Sequence, residues 1–127
     1  MLSTYSAMPT LGVKDLAAAR SFYGDTLGFS VSRDDEEGVR YRHGTGDFLV
    51  YESAYAGTNK ATAVSFEVPA DEFDSEIGAL RDKGVEFQTF DMDGVEWSDG
   101  VATISGMRGV WFADPSGNLI SVATPMG

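Results

Sequence analysis

The 127-residue chain contains no cysteine and a single histidine, His43. The absence of cysteine excludes disulfides, thiolate metal sites and cysteine nucleophiles together, and is compatible with a reducing compartment. The scarcity of histidine leaves one imidazole for any metal centre, general base or catalytic triad. Basic residues are also few: nine Lys and Arg stand against twenty Asp and Glu, for a formal charge of −11. Nucleic acid is a poor partner for such a surface, whereas a cationic small molecule would be drawn to it. No apolar run approaches the roughly 18 residues of a membrane span, and the opening "MLSTYSAMPT" has neither a basic start nor an apolar stretch. A cytoplasmic protein without a membrane partner is expected. No phosphate-cradling glycine motif is present. "DMDG" at 91–94 only starts like a calcium loop, because Gly94 falls at the wrong place and no third acid follows at the fifth position.

What the chain does contain is a repeat. "KDLAAARSFYGDTLG" spaces Leu16, Ala19, Tyr23 and Leu27 three or four residues apart, with Asp15 near its start and Gly28 after its end. "PADEFDSEIGALRDKG" does the same with Phe73, Ile77 and Leu80, closing on Arg81, Lys83 and Gly84. Both predict amphipathic helices. "TLGV" and "AVSFEV" precede them as strands, "FSVSR" and "VEFQTF" follow them, and the hairpins "VRYRHGTGDFLVYES" and "GVWFADPSGNLISVAT" close each half. The halves superpose with Val13 on Val68, Gly28 on Gly84 and Gly46–Tyr51 on Gly117–Val122, giving β-α-β-β-β twice. Module one runs over about 1–54, a linker over 55–62 and module two over about 63–127, all within one domain. The second half also carries an insert, 91–109, read as a long loop around Trp97. That indole either acts as a lid contact or pins the loop to the domain.

"VKDLAAARSFYGDTLGFSV", "SFEVPADEFDSEIGALRDKGVEF" and "WFADPSGNLISV" together resemble the vicinal oxygen chelate superfamily, which holds glyoxalase I, bleomycin-resistance proteins and extradiol dioxygenases. The Val-x-Asp-Leu opening, the Phe-Tyr of the first helix and the Asp-Pro-x-Gly-Asn turn carry the likeness in combination, over nearly the whole chain. The resemblance implies an α+β fold in which two β-α-β-β-β modules form a cupped eight-stranded mixed sheet with helices on its outer face. It also implies a homodimer and a ligand held in the cup.

The superfamily's metal enzymes take ligands from the first and last strand of each module. By spacing, those places fall on Met8 and Ala63, and on Val50 and Ser121. None is a normal ligand for a divalent ion. His43 reads as a solvated turn residue beside Gly44, and a second copy of the chain would add only another His43. No metal, no cofactor and no catalytic residue is therefore assigned.

Strand alternation predicts which side chains line the cup. If Met8, Val50, Ala63 and Ser121 point inward, so do Phe48, Glu52 and Glu67, while Leu49, Tyr51, Ile120 and Val122 brace the helices. Pairing the third strands by the repeat adds Arg40, Arg42 and Trp111 to the cup. Such a concavity, mainly apolar with an indole, a phenyl ring and a few charges, suits a small molecule. The leading expectation is a metal-independent binding protein akin to the bleomycin-resistance branch, sequestering an aromatic or cationic natural product between Trp111, Phe48 and Trp97. The alternative is a lyase-, isomerase- or dioxygenase-like enzyme without a metal, with Glu52 or Glu67 as general base and Arg40 or Arg42 stabilising an enolate.

Overall fold

The computed structural model describes residues 1–125, in two compact units. The first comprises residues 1–60 together with the turn 114–118, and the second comprises 61–113 with the residues from Leu119 on.

In the first unit, β1 (Thr10–Val13) leads to α1 (Leu16–Arg20), which widens into a turn of π-helix over Ser21–Thr26. Asp15 starts α1 because its carboxylate accepts from the backbone N–H groups of Ala17 and Ala18, at 2.9 and 3.2 Å. The wider turn closes with the Leu27 N–H donating to Phe22 O, five residues back. Gly28 follows at φ 80, the left-handed conformation that ends a helix most easily with no Cβ. Three strands complete the unit: β2 (Val31–Asp35), β3 (Gly38–His43) and β4 (Gly46–Glu52), in the order β1-β4-β3-β2 with β1 parallel to β4. Val13, Val39 and Val50 are fully buried, with Tyr23, Tyr41 and Phe48 at 1–2% exposure among them.

The second unit repeats the plan with one strand more. β5 (Thr62–Glu67) precedes α2 (Ala70–Asp82), and β6 (Glu96–Ser98), β7 (Val101–Ile104), β8 (Met107–Ala113) and β9 (Leu119–Ala123) follow in the order β5-β9-β8-β7-β6. α2 has Asp71 and Glu72 in its first turn and Arg81 in its last, matching the helix dipole, and buries Phe73 and Ile77. The α+β fold stands as expected and the first unit is β-α-β-β-β, whereas the second is β-α-β-β-β-β, so the described residues hold nine strands where eight were expected.

Two expectations about the second unit change. "VEFQTF" forms no regular strand; Gln88 alone bridges to Trp111. The segment 91–109 is not a long loop either, since it holds β6, β7 and the start of β8. Two tight turns build it: Asp99 and Gly100 have φ 51 and 79, Ser105 and Gly106 have φ 47 and 83, and each pair joins strands in direct register. Positive φ at both central residues is the hairpin geometry that matches strand twist, and Asp-Gly is its strongest sequence signal. Among the described residues no helix is long and apolar enough to cross a membrane.

Candidate functional site

The site begins with a register. Leu11 pairs with Val50 and Gly12 with Tyr51 in the first sheet, while Phe66 pairs with Val122 and Glu67 with Ala123 in the second. With Val13 on Val68, the residue equivalent to Ser121 is therefore Leu49, one position before the expected Val50. Across the next ladder the same holds, since Arg40 opposes Leu49 as Trp111 opposes Ser121. A slip of one residue reverses every side chain of a strand. Phe48 and Val50 consequently lie in the core, with the Phe48 ring 5.6 Å from both Tyr23 and Tyr41 and 5.0 Å from Phe29. Glu52 is also displaced from the expected face: its Oε1 accepts from the Leu16 N–H, 3.3 Å away at the start of α1. "FLVY" is apolar at all four positions, so alternation alone carries no parity there.

Elsewhere in the first unit, Met8 is half-buried just ahead of β1. Along β3, Arg40 is half-buried and Arg42 exposed on either side of buried Tyr41. Arg40 is 3.8 Å from the Glu37 carboxylate, and Arg42 Nη1 donates to Val31 O at 3.0 Å. His43 ends β3 as a half-buried residue, its ring 6.2 Å from Phe48.

The second unit brings Glu67, Trp111 and Ser121 together. A pocket of about 490 Å³ opens on one face of its sheet, lined by Ser65 and Glu67 of β5, Ser121 and Ala123 of β9, Gly109 and Trp111 of β8, and Ala102 and Ile104 of β7. Small residues make its floor: Gly109, Ala102 and Ser121 are buried without filling the space above them. Trp111 forms a wall. Its Nε1 donates to Thr62 Oγ1 at 3.2 Å, the Trp97 ring lies 6.1 Å away on β6, and the Phe90 ring meets it edge-on at 5.8 Å. An indole held by a hydrogen bond and two rings is a preorganised surface for a flat ligand. Trp97 is therefore a strand residue bracing Trp111. Ala63 falls at a register shift between Thr62 and Val64, and Thr62 takes its place at the pocket.

The turn that aims β9 is an anchor. Asp114, 4% exposed, accepts from the Ser116 and Asn118 N–H groups at 2.9 Å each and from Asn118 Nδ2 at 2.8 Å. The Tyr23 hydroxyl donates to its Oδ2 at 2.7 Å. Asn118 Nδ2 also donates to Gly12 O at 2.7 Å, and Ser116 Oγ accepts from the Lys14 N–H at 2.8 Å. Burial, reinforced by the Asp114 charge, pushes the Tyr23 phenol far above its ordinary value.

Of the positions where the resemblance places metal ligands, Met8 and Leu49 in the first unit offer one thioether, and Ala63 and Ser121 in the second offer one hydroxyl, beside the Glu67 carboxylate on the pocket face. Among the described residues, no three His, Asp or Glu side chains gather as a metal-binding group.

Comparison with known proteins agrees with the geometry. A comparison with curated protein sequences gives no match. Among solved structures, a glyoxalase/bleomycin resistance protein/dioxygenase from Alicyclobacillus acidocaldarius is similar at a TM-score of 0.74 and 14% identity, over 97% of this chain and 92% of that one. A genomically encoded fosfomycin resistance protein from Listeria monocytogenes gives 0.70 and 15%, over 95% and 93%. A lactoylglutathione lyase from Agrobacterium tumefaciens gives 0.69 and 18%, over 95% and 94%. At these identities the likeness is one of fold. The family model for the glyoxalase/bleomycin resistance protein/dioxygenase superfamily matches residues 6–122, and with nearly the whole chain so covered, this protein belongs to that superfamily.

Proposed function

We propose that this chain is a metal-independent small-molecule binding protein that sequesters a planar aromatic or cationic natural product, in the manner of antibiotic-resistance proteins of this fold. The observation that carries the reading is the pocket beside Trp111, with its small-residue floor, indole wall and single carboxylate, Glu67. Stacking on Trp111 and apolar burial supply affinity, and Glu67 with the −11 surface draws in a cation. The replacement of family ligand positions by Met8, Leu49, Ala63 and Ser121 supports binding without a metal.

Trp97 and Trp111 are the only tryptophans, so intrinsic fluorescence reports directly on the site. Protein dialysed against EDTA is titrated with acriflavine and with a bleomycin-class glycopeptide. The expected result is saturable quenching by at least one of them, lost in Trp111→Leu and weakened in Glu67→Gln. Quenching that saturates only after a divalent ion is restored overturns the metal-independent reading, and no saturation under either condition overturns the binding of this ligand class.

A further inference from the structure

The sheet of the second unit has a second concavity on its other face. It measures about 370 Å³ and lies between α2 and strands β7 and β8, with Gly78, Arg81, Val101, Thr103 and Arg108 in its walls. Alternation along the strands separates it from the first pocket: Ala102, Ile104 and Met107 line that one, while Val101, Thr103 and Arg108 line this one.

Two guanidinium groups from different elements converge here, and each is held in place. Arg108, from β8, lies 4.8 Å over the Phe73 ring and donates from Nη2 to Asp74 Oδ1 at 2.8 Å. Arg81, from α2, lies 5.2 Å from the Phe87 ring, with Nη1 3.5 Å from Asp99 Oδ2 and Nη2 donating to the Asp99 carbonyl. A guanidinium has five N–H donors, so each keeps capacity for a ligand. Asp74 and Asp99 are 80% and 89% exposed, and ion pairs so open to water contribute little and exchange easily.

Gly78 adds an independent observation. Glycine inside a helix disfavours it relative to alanine, yet a Cβ built on Gly78 meets no atom within 4 Å. No neighbouring backbone demands this glycine; what it leaves is room beside Ile77 in the pocket wall.

We propose that this groove binds a zwitterion, an α-amino acid with an aliphatic side chain. Its carboxylate meets Arg81 and Arg108, its ammonium exchanges into the Asp74 and Asp99 carboxylates, and its side chain lies on Ile77 and Val101. Charges of both signs at the rim, in a chain of net charge −11, favour a zwitterion over a simple anion.

The test is an NMR titration of the full-length protein with L-leucine, N-acetyl-L-leucine and L-leucinamide, following backbone amides at Gly78, Ser98 and Thr103. The expected result is saturation by L-leucine in the millimolar range, about tenfold weaker for each capped analogue and for Arg81→Gln or Arg108→Gln, as for loss of a charge-assisted hydrogen bond. Gly78→Ala keeps the fold with a higher melting temperature and also binds more weakly. N-acetyl-L-leucine binding as tightly as L-leucine reduces the groove to an anion site and overturns the proposal. So does the absence of saturation with L-leucine, or unchanged affinity in both arginine variants.

Discussion

The hydroxyl of Tyr23 stands 2.7 Å from Oδ2 of Asp114, 91 residues further along the chain, and both residues are buried. The bond ties the π-turn that follows α1 to the loop that launches β9. Removing the hydroxyl in Tyr23→Phe leaves Asp114 with its three partners inside the turn and one unmet acceptor site. The expected loss is about 1.5–3 kcal/mol, the range for a hydrogen bond to a charged group, read as a lower urea midpoint at unchanged slope.

The same pair sets an alkaline limit. Tyr23 is held protonated in the folded state, with its phenol raised above the ordinary value of 10.0. A group raised on folding stabilises fully below its unfolded value and loses that contribution as pH rises beyond it. Stability should therefore be flat below about pH 10 on this account and fall above it, because only the unfolded chain can release the proton. Thermal melts from pH 8 to 11 should show the fall in wild type and a shallower one in Tyr23→Phe. Tyr41, also raised by burial, supplies what slope remains.

Phe48 separates a core role from a binding role. Its ring is packed against Tyr23, Tyr41 and Phe29, so Phe48→Ala should cost about 3–5 kcal/mol. In denaturant melts Leu49→Ala, on the opposite face of the same strand, should cost less than half as much. Equal effects at the two positions would contradict the register described above.

Gly100 controls the seat of Trp97. It has φ 79, and an added Cβ would stand 3.3 Å from Phe87 Cβ. Gly100→Ala should destabilise the β6–β7 turn by about 1–3 kcal/mol. With Trp97 no longer held beside Trp111, tryptophan emission should shift to the red while far-ultraviolet circular dichroism changes little.

Much of this architecture is legible in the residues. The repeat, the two helices, the Asp15 cap and the Asp-Pro-Ser-Gly-Asn turn follow from spacing and turn chemistry that tertiary context leaves intact. The parity of β4 is not legible, because Phe48, Leu49, Val50 and Tyr51 are all apolar and only the ladder to β1 decides which pair is buried. The β6–β7 hairpin was open to reading. Asp99-Gly100 and Ser105-Gly106 bracket a short β-rich run, but acids and glycines nearby give the stretch a loop-like composition. For the pocket, alternation finds Trp111, Glu67 and Ser121. It misses Ile104 and Gly109, which belong to a strand hidden by that loop reading and to a glycine whose role is to occupy no space.

Consecutive residues of β8 face opposite ways, so Met107, Gly109 and Trp111 look onto one pocket and Arg108 onto the other. The strand is thereby a partition with two addresses written into it, odd and even. Alteration of one set can retune one cavity while the other keeps its lining, so the protein can change what it holds on one side without relearning the other.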